Sequence, residues 1–116
     1  MSETFSMEVL SRDERALTAS VTPLASAPCF DGHFPGDPVL PGVAQLCELA
    51  LPLARDAWPA LPALRRVTRL KFHRLVRPGE ALSLTLTRRA PSRVDFELTR
   101  DGTPVSAGAM DFGDLP

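Results

Sequence analysis

The apolar positions follow two different periods along this chain. In the second half they alternate with polar ones. Leu82, Leu84 and Leu86 are separated by Ser83 and Thr85, and Val94, Phe96 and Leu98 by Asp95 and Glu97. A two-residue period predicts strands with one face in a core and one in solvent. Asp101-Gly102 lies between such runs and predicts a tight hairpin, and Pro78-Gly79 a turn. Residues 65–75 read as a strand despite their charge, carried by Val67, Leu70, Phe72 and Leu75. Residues 105–112 predict the last strand, in which Ala107, Gly108 and Ala109 leave room for a close approach. Near the start, residues 5–10 predict a short strand, residues 11–15 a charged turn and residues 16–21 a further extended segment.

Between these strands the period changes. From Gly42, the residues Val43, Leu46, Cys47, Ala50 and Ala54 recur at helical separations and predict one buried stripe, widened by Leu49 and Leu53. Gln45 and Glu48 share the polar side, and Cys47 is expected to be buried. The helix should reach Ala54 or Trp58, with Pro52 either kinking or dividing it. Trp58, Pro59 and Pro62 then predict an irregular, partly exposed connection. A helix apolar on most sides needs covering on most sides. An antiparallel sheet curved around it, extended by a partner subunit, meets that demand, so the fold class is α+β.

With 116 residues, 44% hydrophobic and 23% charged, the chain has enough apolar content for one domain with an ordinary core, spanning residues 1–116. Its formal charge of -1, from 13 basic and 14 acidic residues, gives no general attraction to nucleic acid or to an anionic membrane. The basic residues are clustered, however. Arg65, Arg66, Arg69, Lys71, His73, Arg74 and Arg77 form either a solvated strand face or a docking patch for a negatively charged partner. Two cysteines are too few for a disulfide scaffold, residues 1–10 carry no secretory pattern, and residues 38–54 are too short and polar to span a bilayer. A cytoplasmic location without membrane insertion is the expectation.

The candidate chemistry lies just before the helix. His33 stands between Gly32 and Phe34, and the next eight residues hold three prolines and two glycines. Pro41 suits the opening of a helix, because the first turn needs no amide donor from that position. A stiff loop therefore carries one histidine to a helix start whose amides point outward unpaired. Imidazole titrates near pH ~6.5 and can serve as a base at working pH. The plain alternative is a surface or packing histidine. A zinc site from Cys29, His33 and Cys47 matches no ordinary structural spacing, so no metal is expected. Cys47 could also act as a nucleophile if an imidazole activated it.

The stretch GHFPGDPVLPGVAQL, with KFHRLVRPGEALSLTL after it, resembles the hotdog-fold 3-hydroxyacyl-acyl-carrier-protein dehydratases. Gln45 points toward the aryl-polyene pigment branch of that family. The resemblance implies a long helix wrapped by an antiparallel sheet, pairing of two subunits, and active sites at their interface. It implies removal of water from a 3-hydroxyacyl thioester, leaving a trans-2-enoyl thioester. The substrate would arrive on the phosphopantetheine arm of acyl carrier protein, with no other cofactor. His33 would be the base and the Gly42 amide the donor to the thioester carbonyl. Phe34, Val39, Pro41 and Val43 would line the acyl route, and Arg69 and Arg74 would dock the acidic carrier.

One departure stands out. The family pattern has an acid fourteen positions after the histidine, where this chain has Cys47, with Glu48 beside it. Adjacent residues on a regular helix point about 100° apart. Three expectations follow: His33 carries both proton transfers, a helical bulge near Pro52 turns Glu48 into the site, or the chain is a weak or inactive subunit completed by another hotdog chain in a heterodimer. Acyl-thioester hydrolysis is a further alternative.

Overall fold

The computed structural model describes residues 5–24 and 42–113. Six strands occur in it: β1 (Phe5–Arg12), β2 (Ala16–Pro23), β3 (Leu64–Phe72), β4 (Leu82–Ala90), β5 (Arg93–Arg100) and β6 (Thr103–Phe112). They form one antiparallel sheet in the order β1-β2-β4-β5-β6-β3. The two-residue period sets the buried face. Leu17, Ala19 and Val21 of β2, Leu82, Leu84 and Leu86 of β4, and Val94, Phe96 and Leu98 of β5 are all buried. Burying each of the Leu, Val and Phe side chains among them contributes about 1.5–3 kcal/mol, so this face commits the sheet to its side of the core.

Two turns follow from their residues. At Asp101-Gly102 both backbones take positive φ, 51° and 79°, as a two-residue hairpin between Arg100 and Thr103 requires. At the β1–β2 turn, the Asp13 carboxylate accepts hydrogen bonds from the amides of Arg15 (2.7 Å) and Ala16 (2.9 Å). The first strand runs two residues further than the sequence suggests, to Arg12, with a register break between Val9 and Ser11.

The helical run lies in three pieces: α1 (Gly42–Gln45), a π-helical turn (Leu46–Ala50) and α2 (Leu51–Ala57). Leu46, Leu49, Ala50, Leu53 and Ala54 are buried and share one core cluster with the inner residues of the sheet. This helix-and-sheet arrangement matches the α+β expectation. Three details differ from it. Cys47 is exposed rather than in the buried stripe, and Gln45 is buried rather than sharing a polar side with exposed Glu48. The wide turn is the cause, because it offsets the pattern by a residue. Trp58 and Leu61 are buried too, although the connection around them is irregular. The Trp58 amide donates to Ala54 O (2.9 Å) and the Leu61 amide to Trp58 O (3.1 Å), which folds that segment back on the core.

Candidate active site

His33, Phe34, Val39 and Pro41, and the side chain of Val43, lie outside the described residues. Cys29, and with it the zinc alternative, lies outside them as well. What the structure describes is the helix start and the surfaces around it. Gly42 opens α1 beneath the ring of Phe72, the last residue of β3. A Cβ on Gly42 would fall 2.7 Å from Phe72 Cζ and 2.9 Å from Cε2. With glycine at this position the Phe72 ring closes directly over the helix start, and a side chain there would push the half-exposed ring aside. Sequence reasoning counted Phe72 only as a strand residue. Its place over Gly42 depends on the end of β3, which no local pattern encodes.

Further along the helix the backbone widens. The Leu51 amide donates to Leu46 O, five residues back, where a regular helix would span four. Pro52 follows at once, in the first turn of α2. In a regular helix its ring would crowd the carbonyl of Glu48, and the wide turn sits where that crowding would arise. With Leu46, Leu49 and Ala50 turned inward, Cys47 and Glu48 both face outward, side by side. The backbone is thus widened just before Pro52, with Glu48 exposed, and the Cys47 thiol is free.

Arg69 and Arg74 belong to different surroundings. Arg69 sits in a register break of β3, between Thr68 and Lys71, with φ 55°, and lines a recess on the sheet. Arg74 lies beyond the strand, its amide bonded to Val105 O (3.3 Å), and does not line that recess. His73 is exposed, as its charged surroundings suggest. Ser106, by contrast, was not legible as a special residue. It is fully buried opposite Phe72 and Leu98, and its Oγ has no hydrogen-bond partner among the described residues. The only signal would have been a hydroxyl inside the apolar run VSAGAM. Among the described residues no group of three His, Cys, Asp or Glu side chains is gathered to hold a metal.

Residues 9–109 match the family model described as ApeI-like, ApeI dehydratase. The chain belongs to this family. Curated relatives carry the same kind of name: it is 45% identical over 65 residues to the 3-hydroxyacyl-[acyl-carrier-protein] dehydratase FabZ of Oenococcus oeni, a match covering 50% of this chain and 46% of that protein. It is 36% identical over 87 residues to FabZ of Chlamydia pneumoniae, covering 66% and 57%. The chain spans about half the length of these relatives. Among solved structures, it resembles the dehydratase heterocomplex ApeI:P from Xenorhabdus doucetiae, with a TM-score of 0.80 at 21% identity over 94% of this chain and 99% of that one. Zebra fish thioesterase superfamily member 2 aligns with a TM-score of 0.67 at 13% identity, over 91% and 80%. At such identities the likeness is one of fold, and the fold is hotdog. No helix among the described residues is long and apolar enough to cross a membrane.

Proposed function

We propose that this chain removes water from a 3-hydroxyacyl thioester carried by acyl carrier protein, forming the trans-2-enoyl thioester. The observation that carries this reading is the match of residues 9–109 to a dehydratase family. In the reaction, His33 takes the proton from the carbon beside the thioester carbonyl. The electron pair left there forms the new double bond as the C–O bond to the hydroxyl breaks. An acid supplies the proton with which that hydroxyl leaves as water. The Gly42 amide donates to the carbonyl oxygen, whose negative charge grows in the transition state. Phe34, Val39, Pro41 and Val43 flank the acyl chain, and Arg74 meets the acidic carrier.

The acid is Glu48. Its support is the π-helical turn, which exposes Glu48 together with Cys47 on the outward side of the helix. Inserting one residue into a helical turn shifts the residue that faces a given direction by one. That offset equals the displacement of Glu48 from the position where the family pattern has its acid. No separate cofactor is needed, since the phosphopantetheine arm belongs to the carrier.

A second reading has a specific observation in its favour. The similar Xenorhabdus doucetiae structure is a heterocomplex, and a chain with Cys47 in the acid's place could be completed by a different hotdog subunit. Mixing purified chain with 3-hydroxyacyl carrier and following the loss of water by mass separates the two. Turnover by the chain alone, lost in Glu48→Gln, supports Glu48 as the acid. Turnover that appears only with a second hotdog chain supports the heterodimer.

A further inference from the structure

The face of the sheet turned away from the core carries a recess of about 330 Å³, spanning β3, β4, β5 and β6. Its wall residues Thr85, Thr87, Asp95 and Glu97 alternate with buried Leu84, Leu86 and Phe96, which places it on the outer side. Its floor is β6, where Ala107 and Ala109 are too small to fill the gap between neighbouring strands. The register aligns Thr87, Asp95, Ala109 and Thr68 in one row across the sheet, and Thr85, Glu97, Ala107 and Lys71 in the next.

Charge is distributed unevenly around this floor. On one side, Asp95 is engaged at both oxygens, by Arg89 Nε (3.0 Å) and Arg93 Nε (3.2 Å), which leaves the remaining guanidinium donors of both arginines available. On the other side, Arg69 and Lys71 line the recess and make no ion pair with a described residue. Glu97 lies two strands from Lys71 across Ala107, about 10 Å at ordinary strand spacing, too far for a direct pair between their backbones' positions to form without both side chains reaching over the floor. Two threonine hydroxyls add donors. Donors converging on a concave floor suit an anion with oxygens in several directions, and guanidinium forks suit phosphate in particular.

We propose that this recess binds the phosphate group of a small phosphorylated molecule. The site lies on the face of the sheet opposite the core and does not depend on the dehydratase reading, so a chain without dehydration activity would still bind. The test is an amide NMR titration of the whole chain with inorganic phosphate and, separately, with a nucleoside diphosphate, each against sodium chloride at equal ionic strength. Saturable shifts centred on Thr85, Thr87 and Ala107–Ala109 are expected. Arg69→Gly, which keeps the positive φ without strain, and Lys71→Met should each weaken binding about tenfold or more, the scale of one hydrogen bond to a charged group. Lys71→Arg should retain it. Equal affinity for both ligands would assign the site to phosphate alone, and tighter diphosphate binding to a phosphorylated metabolite. Absence of saturable shifts with either ligand, the same shifts with chloride, or unchanged affinity in folded Arg69→Gly and Lys71→Met would overturn the proposal.

Discussion

Glu48 and Cys47 are neighbours, both exposed on the helix. If Glu48 protonates the leaving hydroxyl, Glu48→Gln should lower kcat by about 10²–10⁴-fold, the usual contribution of a general acid, with KM changed far less. Cys47→Ala should leave steady-state turnover close to native, since the thiol has no role in that step. Both are read from initial rates on carrier-bound substrate. Away from the site, Asp13 gives a pH prediction. Hydrogen bonds from the Arg15 and Ala16 amides hold its carboxyl below the usual 3.8. A depressed carboxyl contributes stability that is present above 3.8 and lost as pH falls through its folded value. Asp13→Asn should therefore flatten the dependence of denaturant midpoint on pH in that acidic range. An equal slope in both proteins would contradict this.

The helix shows most clearly what sequence can and cannot convey. Its existence and its bounds were legible from the apolar spacing, and so were β4, β5 and the Asp101-Gly102 hairpin, because each rests on a local period or a local φ requirement. The π-helical turn shifts which residues face the core, so a regular period buried Cys47 and paired Gln45 with Glu48 on one side. Pro52 was the visible sign of a disturbance, but a proline alone does not say whether the backbone kinks, breaks or widens. Trp58 is buried for another reason: a chain reversal between prolines, which has no period at all, turns it inward. Close contacts between elements give a direct test. Gly108→Ala would put a Cβ 2.7 Å from the Phe96 ring and 3.1 Å from Leu70, and Gly42→Ala one equally close to Phe72. Gly108→Ala, against buried Phe96, should cost about 1–3 kcal/mol, the range for overpacking a filled core, and Gly42→Ala less, because the half-exposed Phe72 ring can turn aside, both measured by urea unfolding.

At the scale of the whole molecule, the two outermost strands of the sheet among the described residues are β1 and β3. Beside the helix start, β3 and the segment after it expose Leu70, Phe72 and Leu75. Apolar side chains on an unpaired edge invite a second subunit, in keeping with the pairing implied by the resemblance. Leu70→Glu should shift the sedimentation equilibrium toward monomer, and an unchanged mass would remove this edge from the interface. The proposed reaction unites His33, the Gly42 amide and Glu48. The most direct measurement of that account is mass-resolved turnover of 3-hydroxyacyl carrier by the purified chain, beside His33→Ala and Glu48→Gln. The account predicts loss of one water by the native chain, abolished in His33→Ala and slowed by orders of magnitude in Glu48→Gln. Native turnover that survives intact in Glu48→Gln, or no water loss by the native chain with any carrier-bound 3-hydroxyacyl substrate, would contradict it.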